Sequence, residues 1–310
     1  MTHITTLAEP VRLRLPATSA NLGPGFDAVG LAMGLYLTID AEVSALGAFS
    51  IDATGRDAAL CSQVENNLIL TTYTDVLANL GMLSPRLHLR IQNEIPLGMG
   101  CGSSAAALLA GVMLANHFGK LNWTKEKVLA EACHREGHPD NVAACFLGGF
   151  TVSMDSRSSI ETATYSNNSK WKLMLALPSV ALSTSKARAM LPEEYSRADA
   201  VANIQTTALL VSAFALGRGD LLGPAMQDRI HQPYRMAACP LLPKLLPLAG
   251  KNGILGVALS GAGPSVLLIA DEAADRDSIF ALIRAEAGDP AIEILEPLIA
   301  RGADISAPIR

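Results

Sequence analysis

The run Pro96-Leu-Gly-Met-Gly-Cys-Gly-Ser-Ser-Ala-Ala106 places three glycines at alternate positions and leads straight into an alanine-rich stretch. Glycines at 98, 100 and 102 let the backbone bend and approach a ligand with no Cβ in the way. Ser103 and Ser104 open a predicted helix to about Phe118, whose first N–H groups have no intrahelical partner and carry the positive end of the dipole. A polyanion such as a nucleotide phosphate suits that geometry. A lone G-x-G would read as a serine-capped turn, but triple alternation into Ser-Ser favours phosphate. The loop lacks the lysine of GxxxxGK[ST] and the spacing of GxGxxG, so it is a phosphate cradle of another type.

Glu136 is the second candidate. Val128, Ala132 and Glu136 are spaced i, i+4, i+8 on a predicted helix that Thr124 can cap and Gly137 ends. A carboxylate there follows an apolar stripe inward and meets the negative end of the helix dipole. Binding a divalent cation resolves both problems; bending out to solvent is the alternative. Asn21 and Asp27 flank a Gly23-Pro-Gly25 turn, where turn chemistry alone also favours Asn and Asp. Arg188 and Arg235 stand in weakly charged segments. Two arginine forks converging on one site would suit a carboxylate, although from spacing alone two unrelated surface arginines is the better reading.

The elements that must position these residues are mixed. Val11, Leu13 and Leu15 alternate with arginines, Leu35 to Val43 alternates more cleanly, and Leu87, Leu89 and Ile91 repeat the pattern, predicting three strands. Asn67 to Leu80 has helical character and stops at Gly81. The second half begins near Asp155 with a polar stretch that reads as a boundary or a long surface hairpin. Beyond it the pattern predicts strands at 173–177, 255–259 and 266–270 and helices near 200–216 and 274–286. Strands and helices without strict βα alternation point to an α+β fold.

Composition narrows the function classes. The chain has 310 residues, half of them apolar and 17% charged, with a net charge of −5. Such a chain folds around a large core, and no basic block suits nucleic acid or an anionic membrane. The uncharged runs 96–119 and 252–270 are broken by glycines, so neither reads as a membrane span. Five scattered cysteines without a CxxC pair read as reduced thiols in the cytoplasm. GxSxG and HExxH are absent.

The glycine loop resembles the second motif of the GHMP kinases (galacto-, homoserine, mevalonate and phosphomevalonate kinases), P-x-x-x-G-L-G-S-S-A-A, with Cys101 where leucine is usual. Pro16 to Gly30 is similar to the opening motif of the homoserine kinase branch, and Glu136 to Ala143 with Leu147-Gly-Gly149 to its middle motif. Thr184 to Arg188, Asp228 to Arg235 and Ser260 to Ser265 complete the set, in order over nearly the whole chain.

The resemblance implies a two-domain GHMP kinase fold. A ribosomal protein S5 domain 2-like N-terminal domain would span 1–155, and a ferredoxin-like C-terminal domain contributing substrate residues would span 156–310. It implies ATP as co-substrate on Pro96, Leu97, Gly98, Met99, Gly100, Cys101, Gly102, Ser103, Ser104, Ala105 and Ala106, with Mg2+ held by Ser104 and Glu136. It implies L-homoserine as the alcohol, phosphorylated in threonine biosynthesis. Asp27 would take its ammonium group, Asn21 would approach its hydroxyl, and His138 and Asn141 would complete the pocket. Arg188 and Arg235 would read the carboxylate, with Thr184 and Gly263 also touching substrate. Glu136, Asp140 and Asn141 form the expected catalytic group. Asp140 matches the aspartate that mevalonate kinases place near their hydroxyl, and use of a dedicated base stays open. Another alcohol such as mevalonate, or a silent sensor of small molecules, are the rival readings; retention of Ser104 and Glu136 speaks against a sensor. A homodimer is implied too, and modification of Cys101 is expected to block nucleotide entry.

Overall fold

The computed structural model describes residues 8–156, 159–165, 171–182 and 184–308, without the side chain of Thr184. These residues form eleven strands: β1 Val11–Asn21, β2 Gly25–Val43, β3 Ser50–Gly55, β4 Leu87–Asn93, β5 Phe150–Asp155, β6 Ile160–Tyr165, β7 Lys172–Leu177, β8 Ile254–Leu259, β9 Val266–Ala270, β10 Glu293–Leu295 and β11 Asp304–Ser306. Seven belong to one sheet, ordered β11-β1-β2-β4-β3, with β5 and β6 branching from β2. The other four form a second, antiparallel sheet ordered β10-β7-β9-β8. Antiparallel pairing dominates, with β3 and β4 parallel. The fold is therefore α+β, as the mixed pattern predicts.

Alternation explains the first sheet. Val11, Leu13 and Leu15 on β1 and Leu37, Ile39 and Ala41 on β2 are buried. On the opposite face Arg12 lies across from Asp40 and grips it with bonds of 2.7 and 2.6 Å, while Arg14 covers the Tyr36 ring. β2 has 19 residues and changes partner along its length, from β5 at Val29–Leu31 to β4 at Leu37–Val43. The Ser103–Phe118 helix is buried on nearly every side. Gly111 lets the Leu68–Asn79 helix close on it, because a Cβ there would meet Thr72 and the Ile69 carbonyl.

The second sheet splits its side chains by parity between two cores. Leu173, Leu175, Leu267 and Ile269 join the core beneath the first sheet. Met174, Ala176, Leu268 and Ala270 face a separate cluster with Leu242, Leu245, Ile279 and Ile283. The helix Arg276–Ala287 is held at its start by Asp275, whose carboxylate accepts from the Ser278 N–H.

The structure decides one alternative of the sequence reading and adds two features to it. The polar stretch after Asp155 spans the β5–β6 hairpin, and both strands lie in the first sheet; its residues 157, 158 and 166–170 lie outside the described residues. β11 returns from the far end of the chain to pair with β1, Leu13 opposite Ile305. A division at 155/156 thus leaves β6 and β11 apart in sequence from the sheet that holds them. Finally, the helix Arg197–Leu216 is long and apolar enough to cross a membrane by length and composition, which the two runs weighed above are not. Leu210, Ala213 and Phe214 anchor it to the core, with Phe214 stacked on Phe150 at 4.0 Å.

Candidate active site

The glycine loop folds as its residue types require. Gly98, Gly100 and Gly102 all have positive φ, between 68° and 73°. Gly100 is also a close-approach position, since an added Cβ would strike the carbonyls of Ser260 and Gly263. A Cβ on Gly102 would strike Thr18 Oγ1. Gly102 is the N-cap of the Ser103–Phe118 helix, and among the described residues no side chain caps that end, which leaves its leading N–H groups available to an anion.

This helix start sits between two cavities. One, of about 410 Å3, is lined by apolar Leu37, Leu60, Ile69 and Ile91, with Asn66 and Asn67 at its polar edge. The other, of about 260 Å3, holds Asn21, Asp27, Glu136, His138, Arg188 and Arg235. Ser103 and Ser104 line both. An apolar cavity, the helix start and a charged chamber therefore follow one another.

Glu136 ends the Lys125–Glu136 helix, which Thr124 caps at the start and Gly137, in the left-handed region, terminates. Its carboxylate accepts from Ser104 Oγ at 3.3 Å. Burial raises its pKa; His138 opposes the shift, and neighbouring Asp140 adds to it. The Glu136 carboxylate and the Ser104 hydroxyl both offer oxygen, the donor that Mg2+ takes together with phosphate oxygens.

After Gly137 the chain turns and Asp140 enters a short helix, 1% exposed. Its Oδ1 accepts from His138 Nδ1 at 2.6 Å, the Asn141 N–H at 2.7 Å and Asn141 Nδ2 at 3.4 Å. Burial works against charge on His138, but the bond to Asp140 and the charges of Asp140, Asp27 and Glu136 prevail and raise its pKa. Asn141 Oδ1 accepts from Thr18 Oγ1 at 2.7 Å, tying this loop to β1.

Asn21 and Asp27 both lie in the left-handed region, with φ of 70° and 57°. Asn21 accepts from the Asp27 N–H and donates to the Gly261 carbonyl, each at 3.0 Å. Asp27 holds Arg188 by two bonds, NH1 to Oδ2 at 3.0 Å and NH2 to Oδ1 at 2.6 Å. Arg235 is 1% exposed; its Nε donates to the Ala187 carbonyl and its NH1 to His231 Nδ1. Burial first, and then Arg188, push its pKa down. His231 Nε2 donates in turn to the Gly23 carbonyl at 2.7 Å, which fixes the neutral tautomer.

The structure thus brings Asn21, Asp27, Glu136, His138, Asp140, Asn141, Arg188 and Arg235 to one chamber with Gly98, Gly100, Cys101, Gly102, Ser103 and Ser104. Leu97 lines the apolar cavity, while Pro96 and Met99 line a third hollow beside Arg56 and Asp57. Ala105 and Ala106 are buried in the helix behind the amides. Gly263 lies behind the chamber wall, which Gly261 and Ala262 form. The side chain of Thr184 lies outside the described residues. Cys101 is 1% exposed and burial pushes its thiol up to about 12, so a thiol reagent reaches it slowly. Sequence reasoning missed Phe26, Thr18 and His231 as site residues. Phe26 has both guanidiniums within 5.5 Å of its ring centre, yet a single aromatic after a glycine carries no such signal.

The GHMP kinases N terminal domain matches residues 67–149 and the GHMP kinases C terminal domain residues 210–288. The chain belongs to the GHMP kinase family. A homoserine kinase of Solibacter usitatus is 49% identical over 257 residues, 83% of this chain and 84% of that one. One from Synechocystis is 40% identical over 300 residues, 94% of this chain and 97% of its relative. Within the family, then, the chain falls among the homoserine kinases. The crystal structure of homoserine kinase from Cytophaga hutchinsonii has the same fold, with a TM-score of 0.81 at 24% identity over 99% of this chain and all of the other.

Proposed function

We infer that the protein transfers the γ-phosphoryl group of ATP to the side-chain hydroxyl of L-homoserine, giving O-phospho-L-homoserine and ADP for threonine biosynthesis. One observation carries the reading: the uncapped helix start at Ser103 and Ser104 lies between an apolar cavity and a chamber of opposite charges. The base would occupy the apolar cavity, the triphosphate would cross the amides of Gly98 to Ser104, and the alcohol would sit in the chamber.

Phosphoryl transfer asks the protein mainly to position groups and to balance charge. Asp27 would take the substrate ammonium, and Arg188 and Arg235 its carboxylate. That leaves the hydroxyl end toward Asn21, His138 and Asn141. Asp140 has one oxygen already accepting three hydrogen bonds, which suits holding His138 and Asn141 in place. Ser104 and Glu136 would hold Mg2+, which when bound neutralises phosphate charge. An alcohol bearing both charges fits the chamber better than mevalonate, which has no ammonium.

A coupled ADP-release assay with homoserine, mevalonate, shikimate and galactose tests the reading. Homoserine-dependent turnover is expected, and Glu136→Gln should raise the Mg2+ concentration needed for half activity by at least about tenfold. Turnover of another alcohol without homoserine turnover would overturn the substrate; none with any alcohol would return the sensor. Asp140→Asn should lower kcat by less than about tenfold, whereas about a thousandfold at unchanged KM would make Asp140 the base.

A further inference from the structure

A further cavity, of about 730 Å3 against 260 Å3 for the charged chamber, shares no lining residue with the chamber or with the apolar cavity beside it. Three helices meet at it. The Ser103–Phe118 helix contributes Met113 and His117, the Lys125–Glu136 helix Lys125 and Val128, and the Asp140–Leu147 helix Phe146 and Leu147. The opposite ends of the same three helices carry Ser103, Ser104, Glu136, Asp140 and Asn141, which line the charged chamber. The first helix has 16 residues, so about 24 Å separates its two ends.

The walls are held in place by the chain itself. Asn116 Oδ1 accepts from the Trp123 N–H at 2.9 Å, and Asn116 Nδ2 donates to the Trp123 carbonyl at 3.4 Å, which fixes the segment bearing the half-buried indole. On the returning segment, a Cβ on Gly302 would strike the Phe146 carbonyl, and the Ala303 N–H donates to the Cys145 carbonyl at 2.8 Å. Met113 and Val128, 7% and 4% exposed, supply apolar lining. Among the described residues, the charges lining the cavity are Lys120, Lys125 and Asp304, while His117 Nε2 donates to the Glu9 carbonyl at 2.8 Å. Lys125 also opens its helix, so the positive end of that dipole adds to the same preference for negative charge. An apolar interior edged by two lysines and one aspartate suits a molecule with an apolar body and one anionic end.

We propose that this cavity is a second ligand site, for a small amphipathic anion, and that filling it tightens nucleotide binding at the other ends of its three helices. The cavity is open in the same structure in which Ser104 touches Glu136. A ligand bridging the far ends therefore holds the helices in the arrangement that sets Ser104 beside Glu136, and a nucleotide arriving second has less ordering left to do. The coupling rests on the nucleotide reading of the helix start; the site itself does not.

The probe is 4-tert-butylbenzoate, with 4-tert-butylbenzamide as its uncharged twin. The chain has two tryptophans, Trp123 and Trp171, so Trp171→Phe leaves one reporter, in the cavity wall. The acid should shift Trp123 emission saturably with a Kd below about 1 mM, at least about fivefold tighter than the amide. Lys125→Glu, at an exposed helix start that favours an acid, should remove that preference. Calorimetric titration of wild type gives the same acid–amide comparison if either variant fails to fold. No saturable binding, or equal binding of acid and amide to wild type, overturns the site.

MgADP should bind at least about threefold tighter with the acid present, and the acid should tighten by the same factor with MgADP present. Acid affinity unmoved by saturating MgADP overturns the coupling. Displacement of the acid by MgADP would put the acid in the nucleotide cavity and overturn the site. MgADP that does not bind at all sinks the nucleotide reading and leaves the site to its own titration.

Discussion

Gly98 and Gly100 share a backbone conformation but not a neighbourhood, so alanine at each separates torsional strain from collision. Both have positive φ, 70° and 73°. Alanine in the left-handed region costs about 1–2 kcal/mol. At Gly98 the nearest obstacle to a Cβ is the Ala181 methyl at 3.2 Å, which a small shift accommodates. At Gly100 the obstacles are the backbone carbonyls of Ser260 and Gly263. That loop is pinned from behind: Ser260 Oγ donates to the Gly100 carbonyl at 2.8 Å and accepts from Ser19 Oγ at 2.9 Å, and the Gly261 N–H donates to the Ala20 carbonyl at 3.1 Å. It cannot yield without breaking these bonds, and such overpacking adds about 1–3 kcal/mol. Gly98→Ala should therefore lower the melting temperature by roughly 2–4 °C and Gly100→Ala by roughly 4–10 °C. Gly100→Ala should also raise the KM for ATP at least about tenfold, because the displaced loop carries Ser103 and Ser104 with it. Scanning calorimetry and initial rates decide. Equal losses of stability at the two positions would refute the argument that a close approach, and not torsion alone, demands glycine at 100.

Two further outcomes follow from buried titratable groups. Burial depresses the His231 pKa below its ordinary 6.5, although Asp228 pulls the other way. The folded state therefore binds this proton less readily than the unfolded chain. The stability from the neutral ring is complete above 6.5 and is lost as pH falls toward the folded value, at about 1.4 kcal/mol per pH unit for one proton. His231→Gln, which can still donate to Gly23 and accept from Arg235, should remove that slope from urea-unfolding curves; an unchanged slope would locate the proton elsewhere. For Cys101, thiol reagents at pH 8 should label the partly exposed Cys61 first and reach Cys101 only at the rate of global unfolding, read by peptide mass. Labelling of Cys101 within minutes in the folded protein would refute its burial.

Local features were legible in the sequence because they rest on backbone chemistry within a few residues. Thr124 caps its helix, Gly137 ends it, and the glycines at 98, 100 and 102 adopt the positive φ that their alternation suggests. The strands at 11–15, 35–43 and 87–91 follow from alternation because one face of their sheet is buried. β3, Ser-Ile-Asp-Ala-Thr-Gly, escaped because it is an edge strand with one buried residue, and half-exposed edges leave little pattern. β11 has three exposed residues and is a strand only by pairing with β1.

The candidate site divides the same way. Residue types within each motif announced a phosphate loop and an inward carboxylate, and the motif order announced the family. Only the folded chain decided that Asp27 and Arg188 hold each other, that Arg235 is buried against Ala187 and His231, and that the Cys101 thiol is buried. Those facts depend on contacts between separate segments of the chain, 161 positions apart for Asp27 and Arg188 and 48 for Arg235 and Ala187. Charge pairing and burial are properties of such contacts, and no periodicity along one segment encodes its partner.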